Sequence, residues 1–198
     1  LGFVFNGRDV CKNSEEIPTV EKTKLENIKS RYTVIGAVGG LIKRKGFDQL
    51  VRVLQKDENL FLVLIGDGDE KENLFNLAKN LNVDQRCWFA GYKKNPLGYY
   101  HYFDIYGMTS YAEGFPLVLI ESAAMKVPAI CSDRELFREL FTNDEVSYFK
   151  LDDTESLYKS ILNIKNNHDR FANNLHSKYT HNFNADKMAT GYLDIYTN

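Results

Sequence analysis

The run Leu60-Phe-Leu-Val-Leu-Ile65 is apolar at every position. A strand of that kind has to be covered on both faces, which is the situation of a central strand in a parallel sheet. Similar short runs recur near residues 33, 87, 104, 129 and 147, and the stretches between them carry helical spacing. Phe47, Leu50, Val51 and Leu54 make one stripe, and Leu74, Leu77, Ala78 and Leu81 a second. Leu157, Ile161 and Leu162 are expected to face inward behind the cap Asp152-Asp153-Thr154, with a partner helix over about 169–179. A solvent-facing helix is expected over 20–28, and a last helix over about 184–196. Strand and helix in alternation predict an α/β fold, a doubly wound, mainly parallel Rossmann-like sheet.

Composition narrows the function classes. The 198 residues, 43% hydrophobic and 26% charged, suit one globular domain, alone or with a small further part. No run of 18 apolar residues and no basic, apolar leader is present, so neither a membrane span nor a secretion signal is expected. A net charge of −2 argues against a nucleic-acid partner, and Lys43-Arg44-Lys45 is too small a basic cluster to reverse that. Cys11, Cys87 and Cys131 are far apart, without a C-x-x-C pair, which points to a reducing compartment and no structural zinc.

The chemistry concentrates in Ser110-Tyr-Ala-Glu113-Gly-Phe-Pro-Leu-Val-Leu-Ile-Glu121-Ser-Ala-Ala124. This reads as a loop after a strand, then a helix with Pro116 at its first position that stops before Pro128. Gly114 lets the loop backbone approach a ligand, and the amides of Phe115, Leu117 and Val118 are expected to converge on one spot. A helix N-terminus favours anions, phosphate above all. The carboxylates of Glu113 and Glu121 add acceptors for paired hydroxyls. Phosphate beside a polyol is the chemistry of a nucleotide sugar. The plainer reading is an ordinary helix whose acidic first turn stabilises its own dipole.

Two other loops invite comparison with known ligand sites. After the strand at 32–38, Gly39-Gly40-Leu-Ile-Lys43-Arg44-Lys45-Gly46 is a glycine loop leading into a helix. It lacks the G-x-G-x-x-G spacing, and Gly66-Asp67-Gly68 lacks the third glycine, so no nicotinamide cofactor is expected. Asp67 and Asp69 could hold a divalent metal, but Asp and Gly are turn residues and a turn is the better reading. His101, among tyrosines, is given no catalytic role.

Glu113 and Glu121, set within S-x-x-E-G-F-P-L-V-L-I-E-S-A, resemble the signature of the retaining nucleotide-sugar glycosyltransferases of family 4, which have the two-domain GT-B fold. The resemblance spans nearly the whole chain and implies its C-terminal, donor-binding half. It implies a linker over 1–30 beginning at the Asn6-Gly7-Arg8-Asp9 crossing, a nucleotide-sugar-binding domain over 31–182, and a helix over 183–198 that braces an N-terminal domain. By the same resemblance Lys45 and Glu113 are catalytic: Lys45 stabilises the leaving diphosphate and Glu113 holds the donor sugar. Gly39, Gly40, Gly91, Tyr92, Gly114, Phe115, Pro116, Leu117, Val118 and Glu121 bind the donor, Glu121 at the ribose diol and Gly91-Tyr92, with Lys93, at the base. No metal and no cofactor is implied. The partners implied are a UDP- or GDP-type nucleotide-sugar donor and an acceptor that is a glycan, a lipid-linked molecule or a small molecule. The setting implied is bacterial-type polysaccharide synthesis in the cytoplasm or at the inner face of the membrane. Two departures stand out. Gly40 replaces the family's phosphate-gripping arginine, and Arg134-Glu-Leu-Phe-Arg-Glu139 replaces a glycine-rich loop, with Glu139 about where a family glutamate falls. Gly40 keeps a second class open, a nucleotide or sugar-phosphate binding module without transfer activity.

Overall fold

The computed structural model describes residues 17–184. The crossing at Asn6 to Asp9, Cys11 and the expected helix over 184–196, apart from Asn184, lie outside the described residues. Among the described residues the strands are β1 (Thr33–Val38), β2 (Leu60–Ile65), β3 (Cys87–Gly91), β4 (Ile105–Met108), β5 (Ala129–Ser132) and β6 (Val146–Phe149). Each falls where an apolar run predicts it. They form one sheet in the order β3-β2-β1-β4-β5-β6, with every neighbouring pair parallel.

Every residue of β2 is buried, as its unbroken apolar run requires. The pleat sends alternate residues to two cores. Val34, Val63, Ile65 and Tyr106 pack on one face with residues of α1 (Thr19–Lys29), α5 (Leu117–Ala124) and α8 (His168–Lys178). Ile35, Ala37, Leu62 and Leu64 pack on the other with α2 (Phe47–Val53), α3 (Lys71–Asn80) and α7 (Thr154–Asn166). Two short helices, α4 (Leu97–Tyr100) and α6 (Glu135–Leu140), are the remaining α-helices among the described residues. In the departing stretch Arg134 is therefore the extended cap and Glu135 to Glu139 are helical, with Glu139 exposed.

The caps and faces follow local chemistry. Asp153 accepts from the amide of Ser156 at 2.9 Å and starts α7 as predicted. On that helix Ile164 is buried, whereas the expected Leu162 is only partly covered. The helix predicted over 20–28 is α1, whose Leu25 and Ile28 enter the core while its other face meets solvent.

The strand order places the working end. The chain builds outward one way from β1 and the other way from β4, so the exits of these adjacent strands diverge and leave a crevice at the C-terminal rim. Behind it the β1 and β2 exits nearly touch: a Cβ on Gly66, at φ 145°, would lie 1.8 Å from the carbonyl oxygen of Gly39. Only glycine fits there.

Candidate functional site

The β1 exit runs through Gly39 and Gly40 into a 3-10 turn, Lys43–Lys45, and then turns at Gly46 into α2. Gly46 is left-handed at φ 61°, and a Cβ there would stand 2.4 Å from the carbonyl oxygen of Thr109. The β4 exit passes alongside. Thr109 Oγ1 donates to the Lys45 carbonyl at 2.9 Å, and the Tyr111 amide donates to the Arg44 carbonyl at 2.8 Å. These stitches bring two predicted residues together: Lys45 Nζ lies 2.7 Å from Glu113 Oε1. Ser110 Oγ donates to the same oxygen at 2.5 Å, while its own carbonyl accepts from Ser132 Oγ at 2.7 Å.

The pair is mostly covered, with side-chain exposures of 15% for Lys45 and 6% for Glu113. At that burial neither charge is cheap to leave alone. The ammonium has three donors and the carboxylate two oxygens, so each can still engage a ligand. Glu113 Oε2 has no hydrogen-bond partner among the described residues.

The start of α5 differs in detail from the sequence expectation. Pro116, at φ −85° and ψ 65°, is the cap and Leu117 is the first helical residue. Those angles make an inverse γ-turn, which closes with the Leu117 amide donating to the Phe115 carbonyl at 3.0 Å. Of the three amides expected to be open, Leu117's is therefore taken. Those of Phe115 and Val118 have no backbone partner among the described residues. Gly114 is exposed, and a Cβ there would meet nothing within 4 Å.

Glu121 lies on the inner side of α5, only 2% exposed. Tyr100 donates to its Oε2 at 2.9 Å. Tyr106 stacks on Tyr100, with ring centroids 5.7 Å apart, and its hydroxyl reaches the Val38 carbonyl at 3.3 Å. Burial pushes the Tyr106 hydroxyl well above its ordinary range, and the charges of Glu121 and Glu113 add to that. Tyr106 thus stays neutral.

Other predicted residues stand apart from this pair. Gly40, Lys43 and Arg44 are exposed, and a Cβ on Gly40 would find open space. Gly91 is left-handed at φ 74°, and Tyr92 beyond it is 72% exposed. Lys93 is engaged by Glu21 of α1 at 2.6 Å, and Glu21 also accepts from the Tyr99 hydroxyl. Burial disfavours the ionised form of Glu21, but the bonds from Lys93 and Tyr99 outweigh it and hold the carboxyl below its ordinary range. Nothing in the sequence pairs Glu21 with Lys93, because they stand 72 positions apart with no shared periodicity.

The remaining candidates take structural roles. Asp67 accepts from the Gly68 amide at 2.9 Å and from Lys71 Nζ at 3.1 Å, so its carboxylate serves its own turn. Among the described residues no three metal-ligating side chains cluster. Burial pushes the Cys87 thiol up to about 12 and that of Cys131 higher still, so neither is a ready nucleophile near neutral pH. His101 is exposed. Among the described residues no helix is long and apolar enough to cross a membrane.

Comparison with known proteins agrees with this architecture. The profile of the family described as "Glycosyl transferases group 1" matches residues 20–181. An Escherichia coli protein named O-antigen biosynthesis glycosyltransferase WclY is 31% identical over 172 residues, covering 87% of this chain and 48% of that protein. Among solved structures, Anabaena Alr3699/HepE in complex with UDP superposes with a TM-score of 0.82 at 17% identity, over 90% of this chain and 52% of that one. The C-terminal domain of a glycosyl transferase group 1 family protein (LpcC) from Francisella tularensis gives a TM-score of 0.68 at 19% identity, over 82% and 92% of the two chains. The chain spans about half the length of the curated relative it matches. With its profile matched from α1 to the end of α8, this chain belongs to the glycosyl transferases group 1 family.

Proposed function

We propose that this chain is the donor-binding half of a retaining, GT-B-type glycosyltransferase of family 4. The full-length enzyme moves a sugar from a nucleoside-diphosphate sugar to an acceptor hydroxyl in bacterial-type glycan synthesis. The observation that carries the reading is the Lys45–Glu113 contact at the switch point, beside the start of α5. In the transfer the bond from the anomeric carbon to the diphosphate breaks with its electrons staying on the leaving diphosphate, while the acceptor oxygen bonds to that carbon and its hydroxyl proton passes to the leaving diphosphate. Lys45 and the amides of Phe115 and Val118 stabilise that charge, in the place where electrostatic preorganisation contributes most. Glu113, released from Lys45 by the phosphate, holds hydroxyls of the donor sugar through its two oxygens. Glu121 reads the ribose diol from beneath α5, and Gly91-Tyr92 lies against the base.

The UDP in the Anabaena structure supports a uridine nucleotide, and the O-antigen relative supports a glycan acceptor. Neither the acceptor nor a second wall for the cleft is assigned to these residues. The acceptor, a glycan, a lipid-linked molecule or a small molecule, is held by the other half of the protein, working at the cytoplasmic face of the membrane. Titration of this chain with UDP and UDP-sugars tests the donor site, and an acceptor-dependent transfer assay tests the division of labour. Binding without turnover is expected; turnover equal to that of the full-length protein would place a complete active site within this chain. The second reading, a binding module without transfer, draws on Gly40, which supplies no planar fork for phosphate. Product analysis with the full-length protein separates the two.

A further inference from the structure

Gln49, in the first turn of α2, is 5% exposed. Its Nε2 donates to the Thr109 carbonyl at 3.2 Å and to the Gly46 carbonyl at 3.4 Å, and its Oε1 accepts from the Asp152 amide at 2.9 Å. These three partners lie on the exits of β1, β4 and β6. A carboxamide is suited to the task because it carries two donors and an acceptor without charge. Gly46 admits it, since a Cβ there would come within 2.6 Å of Nε2.

The partners bracket the proposed site residues. Gly46 follows Lys45 directly, and Thr109 precedes Ser110, which donates to Glu113. The loop closes through Tyr111, whose hydroxyl donates to Asp152 and whose amide donates to the Arg44 carbonyl. Asp152 is itself left-handed at φ 58°, a conformation that costs a non-glycine residue energy and persists only where neighbours hold it. These hydrogen bonds thus link the backbone beside Lys45 to the backbone that leads to Glu113, with one buried amide joining them.

We infer that Gln49 is a positioning residue, which fixes the spacing of Lys45 and Glu113 by tying the β1, β4 and β6 exits together; the inference rests on the donor-site reading of that pair. Gln49→Met keeps the volume and removes all three bonds. Folded Gln49→Met is expected to bind UDP about tenfold more weakly than wild type, because Lys45 itself is displaced from the diphosphate position rather than merely parted from Glu113, the scale of a misplaced contact. Adding Gln49→Met to Lys45→Ala should cost nothing further, because Gln49 acts through Lys45. Gln49→Glu supplies a readout that a structural brace alone would not move. Its buried carboxyl, once protonated, again offers one donor and one acceptor, so its UDP affinity relative to wild type should recover as the pH is lowered.

Gln49→Met affinity within twofold of wild type, fully additive losses in the double variant, or a flat pH ratio for Gln49→Glu would each overturn the inference. Crystal structures of the variants keep its failure distinct from failure of the donor-site reading. If wild type does not bind UDP, the donor-site reading falls, and the variant structure then decides: a Lys45–Glu113 distance beyond about 4 Å upholds the positioning role, whereas the wild-type spacing overturns it. Should Gln49→Met not fold, Gln49→Glu carries the same measurements.

Discussion

Lys45 Nζ and Glu113 Oε1 are 2.7 Å apart although 68 residues separate them in sequence. The contact exists because β1 and β4 are neighbours in the sheet and their exits are stitched together by Thr109 and Tyr111. On the proposed function, an incoming diphosphate would compete with Glu113 for the ammonium.

Glu113→Gln separates the two roles. It keeps the shape and removes the competing charge, so UDP affinity should be retained or rise by up to about tenfold, the scale of one charge-assisted contact. Preference for a UDP-sugar over UDP should fall, because the sugar loses its carboxylate. Calorimetric titration with both ligands checks this. A loss of UDP affinity as large as that of Lys45→Ala would contradict it.

Gly40→Arg would supply the planar fork that the sequence resemblance implies at this position. Since a Cβ at Gly40 meets nothing within 4 Å, the substitution should leave stability within about 0.5 kcal/mol. UDP binding should tighten by about fivefold or more if the new guanidinium reaches the diphosphate. Weaker binding in a protein of unchanged stability would mean that the bare backbone at residue 40 is itself part of the site.

The sheet was legible because each strand is a short apolar run and the helices α2, α3 and α7 each carry an apolar stripe. The Leu60 run alone implied burial on both faces, and every residue of β2 is buried. Lys45 and Glu113 were singled out through the resemblance, but their mutual contact was not legible, since it depends on which strands become neighbours. Glu21 to Lys93 and Gln49 to Asp152 were invisible for the same reason: those bonds span 72 and 103 residues. The inverse γ-turn at Pro116 was missed for a local reason. Proline fixes φ, but ψ decides between a first helical residue and a cap.

Arg86 provides a stability prediction remote from the site. Its guanidinium donates to the carbonyls of Leu54, Asp57 and Leu60 at 2.8, 2.9 and 3.1 Å, closing the end of α2 against the start of β2. Arg86→Ala should cost about 2–3 kcal/mol, the scale of charge-assisted bonds to buried carbonyls. Urea unfolding measures this. UDP affinity of the folded variant should not change, because the residue lies at the opposite end of the strands.

Glu21 predicts part of the acid limb of stability. Its folded-state pKa is lowered, so the unfolded chain binds the proton more readily. The stabilisation is present above the unfolded carboxyl value, roughly 4.3, and is lost as the pH falls through the folded value. Glu21→Gln should therefore lower stability at neutral pH and flatten its decline in acid. An acid limb identical to that of wild type would remove Glu21 from the account.

The central claim is that Lys45 binds the donor diphosphate, and calorimetric titration of UDP into wild type and Lys45→Ala tests it most directly. The account predicts a loss of about 1.5–3 kcal/mol, roughly ten- to more than a hundredfold in Kd, with the variant still folded by circular dichroism. Equal dissociation constants for the two proteins would contradict it.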